Sequence, residues 1–111
     1  MVGQTASQTV GLAYAPNLIE EPQSQRTTIG GTAEFKVKSI GLTPMTYQWY
    51  KDGEIIKGAT NYSLILTRID ENDFGSYYVK VKNSIGSDTS LRANLTLNNN
   101  KTVRQIGRAH V

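Results

Sequence analysis

The amino-acid sequence predicts an all-β sandwich or barrel. Short runs in which apolar and polar side chains alternate recur about every ten residues, and turn signals separate them. No long stretch keeps the 3.6-residue period of an amphipathic helix, so we expect a helix content close to zero. The chain has 111 residues, of which 38% are hydrophobic, and this is enough for one modest core.

Each predicted strand follows from this alternation. The run 32–40 sets Phe35 and Val37 against charged neighbours, which is the pattern of a half-buried strand. The pair Asp52-Gly53 is a strong hairpin signal between two strands. In chain order, the predicted strands are residues 16–22 (an edge strand between prolines), 32–40, 46–51, 54–56, 61–69, 76–83 and 87–97.

The alternation also predicts which side chains point into the core, because successive side chains of a strand face opposite sides. The polar segment 70–75 is expected to form a corner in which Asp73 accepts backbone N–H bonds and pairs with Arg68. The residues expected to face inward are Ala33, Phe35, Val37, Tyr47, Trp49, Tyr62, Leu64, Leu66, Tyr77, Val79, Val81, Ala93, Leu95 and Leu97.

The net charge of +3 is concentrated at the C-terminal end. Lys101, Arg104 and Arg108 lie in the last eleven residues, where no acidic residue occurs, and nine basic residues balance nine acidic ones before them. A polyanion-binding face on the neutral body is therefore not indicated. The expected organisation is a flexible lead-in at 1–15, one folded domain at 16–98, and a basic tail or linker at 99–111.

Cysteine is absent from the chain. Disulfides occur mostly in oxidising compartments, so a cysteine-free domain fits a reducing cytosol. The N-terminal residues lack the charged and apolar regions of a secretory signal. No stretch approaches the roughly eighteen apolar residues of a membrane span. These features favour a cytoplasmic location and no membrane partner.

Four residues stand at spacings that identify the fold more closely. Val37 and Val79 lie at the centres of the second and the second-to-last long strands, and Trp49 follows Val37 by twelve residues. Tyr77 precedes Val79 by two residues, just after the "DFG" corner. Together with "YQWYKDGEII" and "YSLILTRIDENDFGSYYVKVKNSIG", this constellation resembles the intermediate (I-set) type of immunoglobulin domain.

The resemblance implies an immunoglobulin-like β-sandwich of two antiparallel sheets with Greek-key connections. In that family two cysteines bridge the sheets, a tryptophan packs on the bridge, and a tyrosine ties down the corner. Both cysteine positions are valine here, so the sandwich has no disulfide. A bridge contributes about 2–4 kcal/mol, and a buried valine contributes about 1.5–3 kcal/mol, so packing can replace it. The implied structural core is Val37, Trp49, Leu64, Tyr77 and Val79.

The segment "YYVKVKNSIG" is similar to the corresponding strand of immunoglobulin domains in giant intracellular muscle proteins: titin, twitchin, obscurin and myosin-binding protein C. This similarity implies a non-catalytic structural and protein-interaction module of a large cytoskeletal or sarcomeric protein. Two alternatives stay open: an extracellular adhesion or receptor domain that has lost its disulfide, and a regulatory domain that flanks a kinase. The N-glycosylation sequons at Asn61 and Asn94 matter only for the extracellular alternative.

Enzymatic chemistry is not indicated by the sequence. The single histidine, His110, is next to last in the chain, and no cluster of residues has metal-ligand spacing. We therefore expect no catalytic residue, no cofactor, no metal site and no small-molecule substrate.

The outward positions of two strands form the candidate interface. Tyrosines with flanking charge are typical of interface centres, although outward tyrosines also pack along the pleat of ordinary strands. The last strand is expected to leave an open edge that accepts another strand. The expected partners are proteins or neighbouring immunoglobulin domains, not nucleic acid. The residues expected to share the outer face are Gln48, Tyr50, Tyr78, Lys80 and Lys82.

Overall fold

The computed structural model describes residues 13–98, and within them the predicted all-β class is confirmed. The helical content of this part of the chain is a single 3-10 turn at Glu71–Asp73. No helix in the same part is long and apolar enough to cross a membrane. The strands are β1 (Asn17–Glu20), β2 (Gln25–Thr27), β3 (Ala33–Lys36), β4 (Lys38–Ile40), β5 (Thr46–Lys51), β6 (Glu54–Ile55), β7 (Ser63–Leu66), β8 (Gly75–Lys82), β9 (Ser87–Thr89) and β10 (Ala93–Leu97).

The strands form the predicted two-layered sandwich. One layer pairs β1 with β4 and β3 with β7, both antiparallel. The other has the strand order β2-β10-β8-β5-β6, with β9 beside β8. One pair departs from the antiparallel expectation, because β2 runs parallel to β10. The chain passes from the first layer to the second around the buried Pro22, and β2 then runs alongside the last strand in the same direction.

The predicted last strand, 87–97, is divided into β9 and β10 by a buried serine. The N–H of Ser90 donates to the carbonyl oxygen of Val79 at 2.9 Å, and the Oγ of Ser90 accepts from the N–H of Val79 at 3.0 Å. A side chain therefore takes the place of a main-chain partner and interrupts the ladder. The alternation of apolar residues in the sequence does not reveal that a side chain replaces a main-chain hydrogen-bond partner.

The core between the layers is aromatic at its centre. Phe35 and Trp49 are fully buried, and Phe35 stacks on Tyr77 with ring centroids 4.9 Å apart. The indole Nε1 of Trp49 donates to the carbonyl oxygen of Asn61 at 2.8 Å, so its polar atom is satisfied inside the protein. Among the described residues, no buried side-chain nitrogen or oxygen lacks a hydrogen-bond partner.

Two of the predicted inward residues are exposed. Tyr62 is 52% exposed and Leu97 is 45% exposed. Tyr62 precedes β7 and Leu97 ends β10, so both lie at the margin of a strand. The alternation of a strand predicts which side a residue faces, but it does not predict whether the opposite layer extends far enough to bury that residue.

The polar corner before β8 is closed by its own carboxylates. Asp70 is the N-cap of the 3-10 turn, and the Oδ2 of Asp73 accepts from the N–H of Asp70 at 2.9 Å. Asp73 thus accepts a backbone N–H as predicted. The predicted ion pair with Arg68 is wrong: none links the two residues, and the carboxylate of Asp73 is used as a backbone cap instead.

The predicted lead-in and tail fall mostly on residues 1–12 and 99–111, which lie outside the described residues. At the start of the described part, the carbonyl oxygen of Tyr14 accepts from the N–H of Leu42 at 3.0 Å and from the Nδ2 of Asn83 at 2.9 Å. The chain is therefore bonded to two loops of the domain before β1 begins.

Candidate interaction surface

The outer side of the central strands β5 and β8 presents two stacked tyrosines. Trp49 and Val79 are opposite each other on the inner side, so the next residues, Tyr50 and Tyr78, are opposite each other on the outer side. Their ring centroids are 5.0 Å apart and the rings are within 7° of parallel. This is a favourable aromatic arrangement, and it leaves both rings partly exposed.

The tyrosine pair is extended in both directions across the sheet. On one side, Ile55 of β6 is paired with Tyr50 and is 60% exposed. On the other side, the guanidinium of Arg92 lies 4.8 Å from the centroid of the Tyr78 ring, a cation–π contact. These four residues form the aromatic row: Ile55, Tyr50 and Tyr78 lie on the adjacent strands β6, β5 and β8, and Arg92 lies in the segment between β9 and β10.

Two lysines continue the outer face beyond the aromatic row. Lys80 is opposite Gln48 and Lys82 is opposite Thr46. The outward positions of β5, β6, β8, β9 and β10 carry no carboxylate side chain. Within residues 13–98 the ion pair that forms is Lys51–Asp52, so Lys80, Lys82 and Arg92 are in no ion pair there. The positive charge of Arg92 still contributes, after Ser76 and Lys51, to the lowered pKa of Asp52.

Gln48 was predicted as part of this interface, but its amide group serves the fold. The Nε2 of Gln48 donates to the carbonyl oxygen of Ile56 at 2.8 Å and lies 3.3 Å from that of Ala59. These bonds hold the segment after β6 against β5. The donor is therefore occupied, and Gln48 contributes to the support of the face rather than to its free hydrogen-bonding groups.

The hairpin turn that positions Ile55 is fixed from two sides. Asp52 and Gly53 both have positive φ, 51° and 90°, as the predicted turn requires. The Oδ1 of Asp52 accepts from the N–H of Ser76 at 2.9 Å, and its Oδ2 is 2.9 Å from the Nζ of Lys51. The Ser76 bond, followed by Lys51, lowers the pKa of Asp52. Gly75 has a positive φ of 155°, and a Cβ there would lie 2.6 Å from Asp52 Oδ2, so both the backbone and the close approach favour glycine.

The five predicted core residues lie on the opposite side of the sheet from this surface. The exposed fractions are 0% for Trp49 and Val79, 1% for Tyr77, 6% for Val37 and 8% for Leu64. All five belong to one buried cluster. They are therefore placed to support the sandwich, and none contributes to its outer surface.

The hydroxyl of Tyr77 ties β8 to the corner that precedes it. The O–H donates to the carbonyl oxygen of Asp73, four residues upstream, which is the geometry of a tyrosine corner. Burial raises the pKa of Tyr77 to about 12, and the negative charges of Asp73 and Asp52 act in the same direction. The neutral, hydrogen-donating form is thus the one that the fold favours.

The last strand does not present the open edge that the sequence suggested. β2 pairs with β10 over Leu95–Leu97, and side chains and backbone of the segment 18–24 cover much of the rest. The covering contacts are Leu18 N to Asp88 Oδ2 (2.8 Å), Leu91 N to Glu21 Oε1 (2.9 Å) and Asn94 N to Ser24 Oγ (2.9 Å). The outer face is therefore the more accessible surface of this layer.

Ile55 and Arg92 were missed as surface residues from the sequence. The position of Ile55 could have been predicted, because the two-residue turn at Asp52-Gly53 places it opposite Tyr50. Arg92 was not, because its position over Tyr78 depends on the interruption at Ser90.

The described residues contain no group of three or more histidine, cysteine, aspartate or glutamate side chains placed to hold a metal ion. The outer face presents two aromatic rings, an aliphatic side chain and cations that are in no ion pair within the described residues.

Comparison with known proteins decides the family. The profile of the immunoglobulin I-set domain matches residues 16–97. The chain belongs to the immunoglobulin I-set family. Domains of this family are generally non-catalytic and generally mediate protein–protein interactions.

Relatives of this I-set chain include both muscle and adhesion proteins. Muscle M-line assembly protein unc-89 of Caenorhabditis elegans is 30% identical over 105 aligned positions, which cover 79% of this chain and 1% of that protein. Roundabout homolog 1 of Mus musculus is 29% identical over 93 positions, which cover 78% of this chain and 6% of that protein. An I-band fragment of titin superposes with a TM-score of 0.68 at 25% identity, over 75% of this chain and 32% of that fragment. The chain therefore spans a small part of the curated relatives that it matches.

Proposed function

We propose that this I-set domain is a non-catalytic structural and protein-interaction module of a large intracellular protein of the cytoskeleton or sarcomere, and that it binds its partner through the outer face of β5 and β8. The observation that carries the proposal is the aromatic row. Three residues from the adjacent strands β6, β5 and β8, together with Arg92 from the segment between β9 and β10, form one strip of surface outside the buried core.

The fold supports such a role by holding the face rigid. Trp49 and Val79 are fully buried directly beneath the stacked tyrosines, on the same two strands. A surface whose rings are already ordered loses little side-chain entropy when a partner binds. Tyrosine and arginine are also the residue types most enriched at the energetic centres of interfaces.

The intracellular assignment is supported by chemistry and by relatives. The chain has no cysteine, so its stability does not depend on the redox state of its surroundings. The M-line assembly protein unc-89 and titin of Drosophila melanogaster are among the relatives, the latter 26% identical over 92% of this chain.

The proposal is tested by expressing the chain, fused to a fluorescent protein, in the cytosol of cultured striated-muscle cells. We expect the fusion to concentrate on repeating cytoskeletal structures, and the double variant Tyr50→Ser, Tyr78→Ser to be diffuse. The matched control is Tyr62→Ser with Ile65→Ser, which removes exposed apolar side chains from the other layer. Diffuse wild-type protein, or equal loss in the control, would contradict the proposal. Circular dichroism of each purified variant verifies that it is folded.

An extracellular adhesion module is the second candidate, because Roundabout homolog 1 and tyrosine-protein phosphatase Lar are also relatives. Asn61 and Asn94, the two sequon asparagines, are both exposed in the fold. Expression through the secretory route distinguishes the candidates. A folded, secreted domain glycosylated at both asparagines favours the extracellular function, whereas retention and degradation in that route favour the intracellular one.

A further inference from the structure

We infer that the aromatic row binds an acidic protein segment that also carries an apolar or aromatic side chain, an inference that rests on the proposed interaction function of this face. The proposed function states where a partner binds. The charge and the exposed apolar groups of the same face indicate the chemistry of that partner.

The charge of the face is positive and unpaired. Lys80, Lys82 and Arg92 lie on it, and within residues 13–98 none of them forms an ion pair. The carboxylates at its margin are already engaged. Asp52 accepts from the N–H of Ser76 and pairs with Lys51, and the Oε1 of Glu21 accepts from the N–H of Leu91 at 2.9 Å. A surface of one sign attracts and orients a partner of the other sign. Carboxylates are therefore the groups that complement this face.

Arg92 is placed to hold a carboxylate while it keeps its present contact. Its guanidinium carbon lies 4.8 Å from the centroid of the Tyr78 ring, and a guanidinium carries five N–H donors in its plane. An arginine stacked in this way can still bind a carboxylate through two parallel hydrogen bonds. The tyrosine thus orders the arginine before the partner arrives.

The apolar part of the face extends beyond what the fold requires. Ile55 is 60% exposed at one end of the aromatic row, and Leu91, the residue before Arg92, is 68% exposed. An apolar or aromatic partner side chain that covers Ile55 and the edge of the tyrosine pair would bury surface that is now in water. An acidic segment without such a side chain would leave that surface exposed.

Nucleic acid fits these features less well than a protein segment. Three cations are few compared with the roughly six to ten phosphate contacts of typical DNA-binding proteins. The residues before Lys101 are neutral as a whole, with nine basic and nine acidic side chains. The exposed Ile55 and Leu91 also have no role in binding phosphates.

The inference is tested by titrating the ¹⁵N-labelled chain with three probes and recording backbone amide shifts. The probes are a synthetic peptide that alternates glutamate with leucine and phenylalanine, its lysine counterpart, and a poly-uridine oligonucleotide. We expect the acidic peptide alone to shift the amides of Tyr50, Tyr78, Lys80 and Arg92, with binding that weakens as salt is added.

Variants locate the interaction on the face. Arg92→Glu and Tyr78→Ser are each expected to weaken the acidic peptide about tenfold. The matched control is Lys36→Glu, which makes the same change of charge as Arg92→Glu on the exposed outer side of the other layer. It is expected to leave the affinity within about twofold, because its charge is remote from the face and screened by solvent.

Four results would overturn the inference. They are shifts that map to the other layer, equal weakening by Lys36→Glu, an equal response to poly-uridine, and concentration-dependent shifts without any probe, which would indicate a second copy as the occupant. If the acidic peptide does not bind, this result can still be distinguished from a failure of the proposed interaction function. If localisation in cells still depends on Tyr50 and Tyr78, the face is an interface and only the partner's chemistry is wrong.

Discussion

The two sides of strands β5 and β8 differ completely although their residues are neighbours in sequence. On the inner side, Trp49 and Val79 have no exposed surface. On the outer side, Tyr50 and Tyr78 stack in a row that ends in an exposed isoleucine and an arginine. Because side chains alternate along a strand, one pair of strands has two separate roles. Its inner side chains fill the core of the sandwich, and its outer side chains are available to bind a partner.

The difference between the two sides allows effects on stability to be separated from effects on binding in this domain. A change on the inner side is expected to act on the free energy of unfolding. A change on the outer side is expected to act mainly on binding, because the core beneath it stays packed. Five predictions measure that separation, from the largest expected effect to the smallest.

Replacement of Trp49 by alanine tests the inner side most severely. Trp49→Ala should lower the free energy of unfolding by about 3–5 kcal/mol, since it leaves a cavity between the layers and removes the bond to Asn61. Tyr50→Ala, one residue away, should cost about 1 kcal/mol or less, because that ring is partly exposed. Urea unfolding followed by circular dichroism gives both values. Similar losses in the two variants would refute the separation.

A disulfide across the core tests whether the two valines occupy the bridge positions. The double variant Val37→Cys, Val79→Cys should crosslink on oxidation, because a disulfide requires Cβ atoms within about 4.5 Å. The bridge should raise the free energy of unfolding by about 2–4 kcal/mol relative to the reduced protein. Mass spectrometry detects the crosslink, and Val37→Cys paired with Val81→Cys serves as the control register. Failure of thiols at 37 and 79 to crosslink in the folded protein would show that the two side chains do not meet.

The central strands were predictable from sequence because their patterns are strong. The alternation of residues 46–51 and 76–83 predicted β5 and β8 to within a residue at each end. The turn at Asp52-Gly53 was predictable because few residue pairs adopt two consecutive positive φ angles. At these positions, local preference and burial demand the same structure.

The remaining differences arise from contacts that are remote in sequence. Strand β2 forms because it pairs with β10, about seventy residues later in the chain. No local pattern in Gln25–Thr27 predicts this pairing. The division of the last strand depends on the hydroxyl of Ser90 reaching the backbone of Val79. The position of Arg92 over Tyr78 depends in turn on that division. Sequence patterns therefore predicted the tyrosine pair but not the full aromatic row.

Tyr77→Phe isolates one hydrogen bond on the inner side. The variant should lose about 1 kcal/mol of stability at neutral pH, because the carbonyl oxygen of Asp73 loses its donor. Urea unfolding measures this loss, and the exposed Tyr62→Phe should show almost none. An unchanged stability in Tyr77→Phe would mean that the hydroxyl does not anchor the corner.

The same bond predicts a dependence on alkaline pH. The pKa of Tyr77 is raised to about 12 in the folded protein, whereas in the unfolded chain it is about 10. The unfolded state therefore ionises first, so the contribution of Tyr77 is complete below pH ~10 and is lost as the pH rises towards ~12. Wild-type stability should fall more steeply than that of Tyr77→Phe over this interval, and parallel curves would contradict the assignment.

The smallest expected effect is the coupling of the two outer tyrosines. A double-mutant cycle with Tyr50→Ala and Tyr78→Ala should give an interaction energy of about 0.5–1 kcal/mol in unfolding, the range of a partly exposed aromatic pair. The same cycle with Tyr50→Ala and Tyr62→Ala should give none, because those rings lie on different layers. A coupling of zero for the stacked pair would mean that the rings are not ordered in solution. The outer face would then offer a partner no ordered aromatic surface, and its affinity would have to come from the cations and the exposed aliphatic side chains.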